Sequence, residues 1–163
     1  MRVYIPATVA MLRDLVGTGE LAPLGGTAFA LTPALRESYA AGDTEELEYA
    51  AMLDAARASL RLLAADEKSE PRRAVIAADF ENVDLRPDLD HSVVKVSGPV
   101  TLKQIASVHL DTAEAEEDVR AAADVIDAAD LGDPDAEFTL GSAEDHELAW
   151  YAPQELAFVL ELM

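Results

Sequence analysis

Hydrophobic and polar positions alternate along this chain in two spacings, and the longest regular run lies at residues 43–65. Asp43 is a good helix N-cap, and Glu46 follows three residues on, which is a capping-box pattern. Glu45, Glu46 and Glu48 fall in or near the first turn, where the helix dipole favours negative charge; Arg57 and Arg61 fall in the later half, where it favours positive charge. No Gly or Pro interrupts the run, so the spacing predicts a helix of roughly 33 Å at 1.5 Å per residue. On a helical wheel Met52, Leu63, Ala56, Tyr49, Leu60 and Leu53 share one arc. Glu46, Asp54, Arg57 and Arg61 share the next, and the remainder is rich in Ala. The expectation is a core helix, with its bulky face on a sheet and its small flank on a second helix. The bulky positions also fit a coiled-coil seam, but about two heptads are too few to favour one.

Shorter apolar runs predict strands at residues 2–5, 27–31, 73–78, 93–96, 107–110 and 147–151. Pro6 is expected to end the first. Thr8 then caps a short helix over 9–16, Thr32 and Pro33 open another, Thr112 caps a helix over 113–129, and Pro153 opens the last. Residues 130–145 read as an acidic loop. Gly17, Gly19, Gly25 and Gly26 read as turn residues, because they do not join a strand directly to a helix as a phosphate-cradling loop does. The expected fold is α+β: a single mixed sheet of five or six strands with helices packed on it in two layers, the alternative being a three-layer α/β sandwich. A helix between strands 107–110 and 147–151 implies a parallel crossover. Residues 1–163 are expected to form one globular domain.

Composition changes the picture mainly through charge. The formal net charge is −20, from 32 Asp and Glu against 12 Lys and Arg. Nucleic-acid backbones and anionic membranes are disfavoured as partners, because binding them needs cations on the protein. A basic protein partner is the complement such a surface would meet. No apolar run reaches the length of a membrane span. The N-terminus opens on a strand-like segment, not a charged stretch followed by an apolar one, so no secretory signal is expected. Cys is absent, which excludes disulfides and thiolate chemistry. Cytoplasm is the expected location.

Candidate chemistry is sparse. His109 lies near Asp111, His146 is flanked by Asp145 and Glu147, and His91 follows Asp88 and Asp90. Imidazoles with carboxylates suit zinc or iron, but no HExxH or similar spacing occurs. The parallel crossover would also hold His109 and His146 roughly 15 Å apart. Neither a metal nor another cofactor is expected. No GxSxG elbow marks a nucleophile, and no catalytic pair stands out among so many carboxylates. If a ligand site exists, open α/β sheets place it at the C-terminal ends of parallel strands, where Thr8, Asp111, Thr112, Tyr151 and Gln154 would converge. Trp150 and Tyr151, adjacent on one strand, point to opposite faces. One belongs in the core and the other needs cover from the chain or from a partner.

Three segments carry a family resemblance: Arg2-Val3-Tyr4-Ile5-Pro6-Ala7-Thr8, Glu45-Glu46-Leu47-Glu48-Tyr49, and Asp145-His146-Glu147-Leu148-Ala149-Trp150-Tyr151. Across nearly its whole length the chain resembles a small family of uncharacterised actinobacterial proteins, a domain of unknown function. The resemblance implies a cytosolic, single-domain protein. It brings no activity, cofactor or catalytic residue. The leading functional expectation is an acidic protein-binding or regulatory module without catalysis. The alternative is a small enzyme or ligand-binding protein.

Overall fold

The computed structural model describes residues 1–163. In chain order the elements are β1 (Arg2–Ala7), α1 (Val9–Thr18), β2 (Glu20–Leu21), β3 (Thr27–Phe29), α2 (Pro33–Ser38), α3 (Thr44–Ala65), β4 (Ala74–Asp79), β5 (Val83–Leu85), β6 (Val93–Val96), β7 (Val100–Thr101), β8 (Ile105–Leu110), α4 (Glu116–Asp130), α5 (Pro134–Glu144), β9 (Ala149–Tyr151) and α6 (Leu156–Glu161). The main sheet has seven strands in the order β5-β6-β3-β1-β4-β8-β9, and β2 pairs with β7 apart from it. Every pairing is antiparallel. The fold is α+β as expected, but the expected mixed sheet of five or six strands is corrected on both strand count and direction.

Alternation along β1 sends its side chains to two cores. Val3, Ile5 and Ala7 join Ala74, Ile76, Val108 and Leu110 under α1 and α6, where Val9, Leu12, Leu15, Leu156 and Leu160 close the layer. Tyr4 joins Phe29, Val75 and Ala77 on the other face, under Ala51, Met52, Ala55 and Ala56 of α3. Helices therefore cover both faces of the sheet, and the two-layer expectation gives way to the three-layer alternative, here built on antiparallel strands. A third cluster joins Leu60 and Leu63 of α3 to Val119 and Ile126 of α4 and Leu140 of α5. The strand also runs through Pro6, which pairs with Val75. Proline removes one ladder donor but keeps the extended geometry.

The N-cap of α3 forms as its sequence predicts, with the Asp43 carboxylate accepting from the Glu46 N–H at 2.9 Å, but the Glu46 carboxylate does not accept from the Asp43 N–H in return, so the capping box is only half made. Met52, Ala56, Leu60 and Leu63 of the expected bulky face are buried, but the two other members of that arc are not, and part of the expected small flank is turned to the sheet instead. The small residues Ala51, Ala55 and Ser59 face inward, while Tyr49 and Leu53 stay exposed. Small side chains let the helix settle close to the strands, and Ser59 uses that closeness. Its hydroxyl donates to the Ala7 carbonyl at 2.7 Å and accepts from the Ala74 N–H at 3.1 Å.

The stretch read as an acidic loop is mostly helix. Asp133 caps α5 by accepting from the Asp135 and Ala136 N–H groups, and Pro134 takes the first helical position. Because α4 and α5 form an antiparallel pair, the chain comes back to the end of β8 from which it left. β9 consequently runs antiparallel to β8, with Leu110 opposite Ala149 and Val108 opposite Tyr151. The expected parallel crossover, which assumed a single helix, is thereby overturned.

Candidate functional site

The antiparallel register decides where the expected site residues fall. Thr8, Asp111 and Thr112 lie at one end of the sheet, just beyond the aligned pairs Ala7–Ala74 and Ala74–Leu110. β9 runs away from that end, carrying Tyr151 and Gln154 with it. Thr8 caps α1, accepting from the Met11 N–H at 3.2 Å. Asp111 is fully engaged: both oxygens accept from the Arg73 guanidinium at 2.8 Å, and one also accepts from the Arg73 backbone N–H at 2.7 Å. The same guanidinium donates to the His146 carbonyl at 2.9 Å. Thr112 is exposed ahead of a 3-10 turn at Ala113–Ala115. Tyr151 is partly buried against the α1 and α6 core, and Gln154 is exposed in the 3-10 turn Pro153–Glu155.

A different set of residues converges on the α3 side of the sheet. Beside the N-terminal half of α3 lies a cleft of about 610 Å³, lined by Arg2, Tyr4, Glu45, Glu48, Tyr49, Met52, Ala77, Ser107, His109 and Trp150. Local structure explains the placement. Ser107 and His109 are alternate residues of β8, so they share a face, and that face looks toward α3. His109 is opposite Trp150 in the next strand, which puts the indole on the same side. Tyr49 stands on the outer flank of α3, and Glu45 lies one turn before it. Trp150 is 61% exposed and Tyr49 48%. The two aromatic side chains are thus left open on the walls of one cleft.

The electrostatics are settled by short contacts. Tyr4 donates its hydroxyl to Glu48 at 3.1 Å. Burial, with Glu48 adjacent, pushes that hydroxyl above its ordinary value, so it stays a donor at neutral pH. Arg2 is held by Asp79 in two bonds, of 2.8 and 3.2 Å, which leaves the rim carboxylate Glu45 without a cation from its own chain. His109 shares a 2.9 Å contact with the Ser107 hydroxyl. Burial lowers the imidazole below its ordinary value, which makes it neutral at pH 7.

Tyr49 also lines a second cleft, of about 380 Å³, that continues along α3 past Leu53 and Leu60 to Glu144 and Asp145. A third, of about 460 Å³, lies near the C-terminal end of α3. Its lining includes the carboxylates Asp66, Glu67, Asp124 and Asp127 beside Arg120, and no aromatic residue. The histidines do not meet: His146 bonds Asp118 at 2.8 Å, His109 bonds Ser107, and His91 is exposed before β6. No group of three metal-ligating side chains is gathered anywhere.

Of the cleft residues, the sequence points to Trp150, through its need for cover, and to His109, though only as a metal ligand. The polar pair Ser107 and His109 on one face of an otherwise apolar strand is the signal that reasoning from motifs passes over. Tyr49 is missed because the wheel assigns it to the core.

Residues 1–160 match a family of unknown function, DUF6912, and the chain belongs to that family. No curated protein and no solved structure matches it.

Proposed function

We propose that this family member is a non-catalytic binding module of one domain, acting in the cytoplasm, whose α3–β9 cleft receives a cationic side chain of a basic protein partner. One observation carries the reading: Tyr49 and Trp150 stand exposed on the walls of a single cleft whose rim holds the unpaired carboxylate Glu45. Aromatic faces attract a cation through the ring quadrupole, and a nearby carboxylate adds a counter-charge. The net charge of −20 extends the attraction beyond the cleft and speeds encounter with a basic surface.

The test is calorimetric titration with a short Arg-rich peptide. Saturable binding is expected, weakened by about two- to thirtyfold in Trp150→Ala, the span of a cation–aromatic contact, and weakened also in Glu45→Gln. Equal binding by Trp150→Ala and the parent protein would mean diffuse charge attraction with no part for the cleft.

The Ser107–His109 contact supports a second reading, a small hydrolase in the same cleft. Neutral His109 is able to take the Ser107 proton. Against it, no third group holds the imidazole ring, as an activated hydroxyl ordinarily requires. Labelling of Ser107 by a fluorophosphonate, lost in His109→Gln, is the result that would favour it.

A further inference from the structure

We infer that the basic partner docks as an extended segment, adding a strand to the open edge of β9. This rests on the cation-binding reading above and names the backbone geometry that delivers the cation. β9 ends the sheet, with β8 on one side and no strand on the other. An edge strand presents N–H and C=O groups that an incoming chain can pair with. Those groups lie beside the cleft, because Trp150 is the central residue of β9 and stands on the α3 side.

Register gives the segment its side-chain pattern. A residue paired with Trp150 on the outer side would share its face, just as His109 does on the inner side, with Cβ atoms about 5 Å away. A side chain as long as Arg or Lys at that position lies over the indole and reaches toward Tyr49 and Glu45. Its neighbours along the segment point to the other face, so cations at alternate positions are the pattern that fits. β9 spans only three residues. Backbone pairing is therefore limited to a few bonds, and the side-chain anchor has to supply the remainder.

Charge selects the occupant. No Lys or Arg occurs after Arg120, while Glu144, Asp145 and Glu147 precede β9 and Glu155 follows it. The chain segments on either side of β9 are thus acidic, and the one guanidinium that reaches them, Arg73 on the His146 carbonyl, is already paired with Asp111. A second copy of this chain, at −20, would be repelled, and pairing β9 with β9 would set these carboxylates against each other. The opposite edge, β5, offers Val83, Asp84 and Leu85 and lies across the sheet from the Trp150 cleft.

Trp150 is the sole tryptophan, so its emission reports on this site alone. The experiment titrates the protein with a short peptide alternating Arg and Thr, and with two copies of it N-methylated at the Arg or at the Thr positions. Strand addition uses the N–H groups of every second residue. One methylated peptide should bind as the parent does, and the other should lose about two- to tenfold for each blocked bond. Equal binding by all three peptides would overturn strand addition and leave cation recognition standing. Equal weakening of both methylated peptides would also overturn it, since pairing requires one register to matter more. If the parent peptide leaves Trp150 emission unchanged, cation recognition and strand addition fall together.

Discussion

His109 and Trp150 stand directly opposite each other in the β8–β9 ladder, which joins the one imidazole in the cleft to the one indole in the chain. Burial lowers the His109 pKa below its ordinary value. A protonated imidazole quenches a neighbouring indole, so Trp150 emission should hold steady as pH falls through about 6.5, the ordinary histidine value, and drop only in more acid solution. His109→Gln should abolish the step. A midpoint at or above the ordinary value would show that His109 is not buried as described.

The same shift has a consequence for stability. The unfolded chain takes up the His109 proton at a higher pH than the folded one. Any stability tied to neutral His109 is therefore complete above about pH 6.5 and lost progressively as pH falls toward the lower folded value. Denaturant titrations across that window should show a steeper acid loss for the parent protein than for His109→Gln. Parallel curves would contradict this.

Arg73 and Asp111 form the most enclosed ion pair, 2% and 1% exposed. Asp111→Asn leaves the guanidinium buried without its counter-charge and should cost about 3–5 kcal/mol in chemical denaturation. Replacing both partners, as Arg73→Met with Asp111→Leu, should cost less than the single change. A loss below about 1 kcal/mol, the scale of a solvent-exposed pair, would contradict the burial.

Leu60 and Leu53 occupy the same arc of the α3 wheel, yet Leu60 is buried and Leu53 is exposed. Leu60→Ala should cost about 2–5 kcal/mol, whereas Leu53→Ala should stay within about 0.5 kcal/mol. Leu60→Asp should unfold the protein, since it would bury an unpaired charge. Similar losses for the two Ala variants would restore the single bulky face.

Self-repulsion from the −20 net charge should lower stability at low ionic strength. The melting temperature is expected to rise as salt is added, because screening shortens the repulsion to about 10 Å at 0.1 M. A fall would mean that pairs such as Arg61–Asp130 and Arg57–Glu137 outweigh the excess carboxylates.

Much of the fold was legible because local chemistry agreed with it. The Asp43 cap, the uninterrupted run behind it and the apolar strands stand where their residues place them. The course of β9 was not legible. It depends on α5, whose sequence, starting at Pro134, mixes apolar and acidic residues with no clear stripe, although the Asp133–Pro134 pair is a proper helix opening. With α5 read as loop, a single helix implies a parallel strand, which would bring Tyr151 and Gln154 to the end of the sheet that holds Thr8, Asp111 and Thr112; the antiparallel β9 carries them away from it. The cleft was legible only in fragments, since Tyr4, Tyr49, Ser107 and Trp150 come from four separate elements and meet only through strand register and the packing of α3 on the sheet.

The proposed entry of a cation between Tyr49 and Trp150 can be followed residue by residue, through backbone amide shifts during titration with the Arg-rich peptide. Changes are predicted to gather on Glu45, Tyr49, Met52, Ser107, His109 and Trp150. Changes spread evenly over the acidic surface, or centred on the Asp66, Asp124 and Asp127 cleft, would contradict it.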